Sequence, residues 1–134
     1  MNGREEDFFA MDCPCKGKNL DRLLQPAILQ AVSRQPLHGL AIVSAIAEGP
    51  MCAGIQPDPT GVYRYLKKME QAELLQSAWE VDESDGRPRR LYTITEHGRA
   101  CRNNWAVALG DYAAAITKLV KELQAEKERE DEYV

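Results

Sequence analysis

The sequence predicts a mainly α fold with one small β-wing, followed by a long C-terminal helix suited to dimerisation. Three observations predict it. Apolar residues recur at three-and-four spacing in separate stretches, two β-prone runs are joined by one polar, glycine- and proline-bearing connection, and one apolar seam persists for about five turns near the C-terminus. At 134 residues and 44% hydrophobic, the chain is long enough for one compact domain plus an appendage and short for two independent cores.

The first helix is read from Leu20, Leu23, Leu24, Ala27, Ile28 and Ala31, which put one apolar stripe toward a core. Asn19 is its cap candidate, and Pro26 either kinks it or opens a second segment. Gln35-Pro36 ends it. A second helix is expected over Gly39 to Ala47, with Leu40, Val43 and Ala47 along one side and Gly49-Pro50 as its stop. After a loop at 51–57, Asp58-Pro59-Thr60 supplies an N-cap followed by proline at the first helical position. In that third helix Val62, Leu66 and Met69, with Ala72 one turn further, face inward, whereas Tyr63, Arg64 and Lys67 fall on another face.

Leu75 to Val81 and Leu91 to Ile94 are the two β-prone runs, joined by the hairpin connection Asp82 to Arg90. Pro88 cannot donate to a ladder, so it is expected in the loop or on an edge. Thr95 caps a final helix in which Trp105, Leu109, Tyr112, Ile116, Leu119 and Leu123 alternate steps of four and three. A core of this size does not easily cover so long a stripe, and a second copy of the chain is the expected cover. Past Leu123 the composition is that of a solvated helix end or disorder. The division that follows is an N-terminal extension (1–19), a three-helix domain with its wing (20–95), a dimerisation helix (96–125) and an acidic tail (126–134).

Helix, helix, helix, ribbon is the element order of a winged helix-turn-helix, whose third helix enters the major groove while the ribbon touches the backbone beside it. A net charge of −4 looks unsuited to nucleic acid, but the acid sits at the ends. Residues 1–12 and 121–134 each carry a net −3, which leaves +2 for the body. There the cations cluster at Arg64, Lys67 and Lys68 and at Arg87, Arg89 and Arg90. Thr60, Tyr63, Arg64 and Lys67 share an exposed face near the helix N-terminus, where Arg64 is suited to a guanine edge and Thr60 or Tyr63 to a thymine methyl or a phosphate. Arg87, Arg89 and Arg90, read as the hairpin tip, suit phosphates or a minor groove. Basic residues on one amphipathic helix are more often only a solvated face. A second arginine cluster where this fold places its wing argues against that reading.

The runs Pro36-Leu37-His38-Gly39-Leu40, Asp58 through Glu70, and Gly86-Arg87-Pro88-Arg89-Arg90-Leu91-Tyr92-Thr93-Ile94-Thr95-Glu96-His97-Gly98 resemble the three signature blocks of PadR-type regulators, over roughly residues 20–123. The resemblance implies a winged helix-turn-helix, dimerisation through the C-terminal helix, and a repressor relieved by a small molecule. Leu40 departs from the aromatic residue usual after the His-Gly pair, and residues 1–19 fall outside the match. Trp105 and Tyr112, two turns apart on the terminal seam, are core residues of a dimer in the plain reading; the resemblance suggests instead that they line a pocket for a planar aromatic effector.

Cys13-Pro14-Cys15 is a C-x-C with Lys16 and Lys18 beside it to favour thiolate. A soft metal needs three or four such ligands, and only Cys52, Cys101, His38 and His97 are available to complete a set, so neither metal nor cofactor is expected. A thiol- or metal-responsive DNA-binding switch using Cys13 and Cys15 is one alternative; a winged-helix protein-interaction module without DNA binding is another. His38 and His97 are read as helix-start and first-turn residues. No nucleophile motif, dinucleotide fingerprint or phosphate loop points to an enzyme. No apolar stretch reaches membrane-spanning length and the N-terminus is acidic, so a cytoplasmic protein with a double-stranded DNA operator as partner is expected.

Overall fold

The computed structural model describes residues 23–50 and 57–133. The mainly helical fold with a β-wing and a long terminal helix is borne out. Helix α1 (Leu24–Ala31) buries Ile28 and Leu29 completely. Pro26 sits in its first turn, where the missing N–H would have had no intrahelical acceptor. The Asn19 cap and residues 20–22 lie outside the described residues. Ser33 ends the helix by donating its hydroxyl to the Leu29 carbonyl at 2.6 Å.

The next element, β1 (Leu37–His38), was not anticipated. It runs into helix α2 (Gly39–Glu48), which buries Gly39, Ile42, Val43 and Ile46. The expected inward side of Leu40, Val43 and Ala47 is corrected: Leu40 is 62% exposed and only Val43 is shared. Nearly every residue from 39 to 47 is apolar, so spacing alone could not choose the face. Gly39 helps to choose it. A Cβ there would stand 2.7 Å from Cζ of Tyr63, so only glycine lets the third helix lay its ring on this turn.

Helix α3 (Pro59–Gln71) begins as its residues dictate, with Asp58 Oδ1 accepting from the Thr60 N–H at 3.3 Å and Pro59 in the first turn. Val62, Leu66 and Met69 are buried, whereas Ala72, expected with them, is exposed at the C-cap. The helix closes in a Schellman turn: the Leu74 N–H donates to Met69 O at 2.9 Å and the Glu73 N–H to Glu70 O at 3.0 Å. The left-handed residue of that turn is Glu73, at φ 62°, where a side chain is strained. Glu73→Gly is therefore expected to raise stability by about 1 kcal/mol, read as a higher denaturant midpoint with unchanged slope; a fall would contradict the strain.

Strands β2 (Leu75–Val81) and β3 (Pro88–Ile94) pair antiparallel, from Leu75 opposite Ile94 to Val81 opposite Pro88. β1 joins the other side of β3 at Leu91 and Tyr92 only, giving the order β1-β3-β2. Pro88 is thus on the middle strand rather than in the loop or on an edge strand. It is tolerated because it is the first residue, where β1 no longer reaches. The core of this unit gathers Ile28 and Leu29, Ile42 and Val43, Val62, Leu66 and Met69, and Leu75 with Ile94. Burying each such side chain stabilises the fold by roughly 1.5 to 3 kcal/mol.

Thr95 caps helix α4 (Glu96–Glu132), accepting from the Gly98 N–H at 2.9 Å and donating to Glu73 O at 2.6 Å, which ties the start of α4 to the end of α3. The chain divides into two compact units, Met1–Arg99 and Ala100–Val134. The second is the body of α4. The whole helix has 37 residues and is about 55 Å long at ~1.5 Å per residue. Along its expected seam Trp105 and Leu109 are half-buried, whereas Tyr112, Ile116, Leu119 and Leu123 are exposed. The acid-rich stretch past Leu123 remains helical to Glu132. Among the described residues no helix is long and apolar enough to cross a membrane.

Candidate nucleic-acid interface

Helix α3 presents Thr60, Arg64 and Lys67 to solvent on one face, opposite the buried Val62, Leu66 and Met69. Among the described residues neither Arg64 nor Lys67 has an ion-pair partner. Lys68, by contrast, lies 5.7 Å from the centre of the Tyr65 ring. Tyr63 differs from its neighbours: it is 41% exposed, with its ring against Gly39, so it couples the second and third helices as well as facing outward.

The wing does not carry its arginines as the sequence suggested. The connection proper is Asp82 to Arg87, and it holds Asp82, Glu83 and Asp85. Gly86, at φ 68°, turns it back toward β3. Arg87 stands at the foot of β3, and Arg89 and Arg90 lie within the strand, where consecutive side chains point to opposite faces. The tip is accordingly acidic, with the arginines following it at the start of β3. Spacing hid this, because nine successive residues without an apolar period do not reveal where the loop ends and the ladder begins.

Each arginine has its own surroundings. Arg90 stacks 4.9 Å from the Trp79 ring centre, directly across the ladder, and its Nη1 lies 3.7 Å from Glu70 Oε2. The other carboxylate oxygen of Glu70 accepts from the Ser77 hydroxyl. Glu70, on α3, therefore ties both wing strands to the helix, a role no sequence motif announced. Arg89 reaches Asp82 Oδ2 at 3.2 Å and Asp85 Oδ2 at 2.8 Å. The Arg87 side chain has no polar partner among the described residues.

Between α2, α3 and the wing lies a cleft of about 500 Å³, walled by Tyr63, Trp79 and Tyr92 and edged by Arg87 and Pro88. Burial pushes the Tyr92 hydroxyl above its usual range, an effect that the nearby Arg90 opposes. At the loop, hydrogen bonds from the Ser84 hydroxyl and N–H hold the Asp82 carboxyl below the ordinary range. Desolvation opposes them, and Arg89 and His38 add to the lowering. His38 Nε2 stands 3.5 Å from Glu80 Oε2, too long for a hydrogen bond, and the atom is buried without a hydrogen-bond partner among the described residues.

Trp105 and Tyr112 lie in the second unit. Cys13, Cys15 and Cys52 lie outside the described residues, and Cys101 is half-buried on α4. His38 precedes α2 and His97 is in the first turn of α4, as expected. Among the described residues no group of three or more metal-ligating side chains comes together.

The family model of the PadR-like transcriptional regulators matches residues 28–104, more than half of the chain. The chain belongs to the PadR-like family. No match was found among curated proteins. Among solved structures, the PadR family transcriptional regulator of Eggerthella lenta is 25% identical with a TM-score of 0.64, the match covering 75% of this chain and 85% of that one. A PadR family regulator of Clostridium difficile is 17% identical with a TM-score of 0.64, over 73% and 98% of the two chains. Bacillus subtilis PadR, crystallised in complex with operator DNA, is 22% identical with a TM-score of 0.56, over 64% of this chain and 48% of its own. The matched range takes in β1, α2, α3 and both wing strands, the elements that build the cleft.

Proposed function

We propose that this PadR-family chain is a sequence-specific, DNA-binding transcriptional regulator in the cytoplasm, with α3 as its reading helix and the β2-β3 ribbon as its wing. One observation carries the reading. Arg64 and Lys67 stand exposed and unpaired, among the described residues, on one face of a helix whose other face packs into the core through Val62, Leu66 and Met69, beside a ribbon that Glu70 fixes to that helix. Arg64 reads a base edge, Thr60 and Lys67 meet the strand flanking it, and Arg87 meets phosphate.

Two copies paired along α4 fit the exposed Tyr112, Ile116, Leu119 and Leu123, and a two-fold dimer demands an operator with inverted-repeat symmetry. The action that fits the family is repression, relieved when a small aromatic molecule enters the dimer interface near Trp105 and Tyr112. Recovery of bound fragments from sheared genomic DNA tests the reading. The expected result is one shared inverted-repeat motif; fragments with no common motif, or none retained, would contradict it.

A second reading, a protein-interaction module, draws support from the wing. Trp79 and Val81 are 67% and 64% exposed there, and Arg89 and Arg90 are engaged within the chain. Under that reading no duplex is retained, and substitutions at Arg64 have no effect on any partner bound through the wing.

A further inference from the structure

We propose that Asp82 and Asp85 act as a built-in substitute for a DNA phosphate, competing with the nucleic-acid backbone for the Arg89 guanidinium and so holding down the affinity of the wing for DNA. The inference rests on the DNA-binding reading above.

Its basis is how the two carboxylates divide their oxygens. Asp82 Oδ1 accepts from the Ser84 N–H at 2.8 Å and the Ser84 hydroxyl at 2.6 Å, and Asp85 Oδ1 accepts from the Arg87 N–H at 2.9 Å. In both residues Oδ1 builds the turn and Oδ2 meets Arg89, at 3.2 and 2.8 Å. An ordinary exposed ion pair is worth little because two mobile side chains must be ordered to form it. Here the turn has already ordered both carboxylates, and one guanidinium serves both.

The arrangement presents Arg89 with a pair of anionic oxygens, as a phosphate does. A phosphate that takes Arg89 must displace at least one carboxylate, which is then left facing the polyanion. Arg90 is not in the same position, being tied to Glu70 and stacked on Trp79, and Arg87 has no internal competitor among the described residues. Arg89 is thus the wing cation whose availability the loop controls.

Asparagine is nearly isosteric with aspartate and keeps an oxygen to accept the turn bonds, while an amide nitrogen replaces the oxygen facing Arg89. Asp85→Asn in the full chain is therefore expected to tighten equilibrium binding to a short duplex of scrambled sequence by about fivefold for each wing engaged. Asp82→Asn is expected to act in the same direction. The same Asp85→Asn change in an Arg89→Ala background should give a clearly smaller tightening, because only a repelling charge is removed and the guanidinium it would release is absent. An unchanged unfolding midpoint would show that the turn survives.

Binding that Asp85→Asn and Asp82→Asn leave unchanged or weaken would overturn the proposal. So would a tightening of equal size without Arg89, since that is only the removal of a repelling charge. If the unaltered chain binds no duplex, the DNA-binding reading falls and this inference with it; if it binds and the substitutions have no effect, this inference falls alone.

Discussion

Gly98→Ala is expected to lower stability by at least about 3 kcal/mol, seen as a fall of roughly 10 °C or more in Tm. The added Cβ would overlap the Leu74 carbonyl oxygen and stand 2.8 Å from Ile94 Cγ1. Neither can give way easily. The Leu74 carbonyl is main chain and accepts from the Thr95 N–H at 3.2 Å, while Ile94 is buried at the end of β3. The contact also sits where Thr95 links the start of α4 to the end of α3, so relief by moving the helix would break the cap at Glu73 O and Gly98 N. A loss below about 1 kcal/mol would mean that the α4 start is looser than these distances imply.

Replacing Leu109 and Ile116 together by Glu is expected to convert a dimer into monomers or aggregates. Affinity for a two-fold operator should fall on the order of 100-fold or more, because linking two reading heads raises avidity by that much. The argument lies in the exposed side chains. Ile116 is 54% exposed in the single chain and Leu119 53%, on a helix whose three-and-four seam is spaced to meet another helix. Light scattering on the unaltered chain is the simplest check, and a stable monomer at micromolar concentration would contradict the pairing.

The fold was legible in the sequence wherever one residue type admits one conformation. Asp58-Pro59 announced the start of α3, Thr95 the start of α4, and the β-prone run placed β2 at Leu75–Val81 with the bounds it has. What was not legible depends on contacts between elements. The inward face of α2 could not be read from a run of apolar residues, and it is fixed where Gly39 meets Tyr63. β1 is two residues long, too short for any period, and exists because β3 offers it Leu91 and Tyr92. The arginines of the wing were visible as a cluster, but their pairing with Asp82, Asp85 and Glu70 was not. Only the folded hairpin shows that Arg89 and Arg90 leave on opposite faces, Arg89 held by Asp82 and Asp85 and Arg90 by Glu70.

The central claim is that α3 reads DNA sequence and the wing holds its backbone. Its most direct test is the affinity of Arg64→Ala and Arg87→Ala chains for a selected operator and for the same duplex scrambled, across a range of salt concentrations. The account predicts that Arg64→Ala loses about 1 to 3 kcal/mol per contact on the operator, doubled in a symmetric dimer, and far less on the scrambled duplex. Arg87→Ala should weaken both duplexes alike and flatten the slope of log affinity against log salt by roughly 0.9 per lost phosphate contact. If both chains bind both duplexes as the unaltered protein does, neither α3 nor the wing touches DNA and the account is wrong.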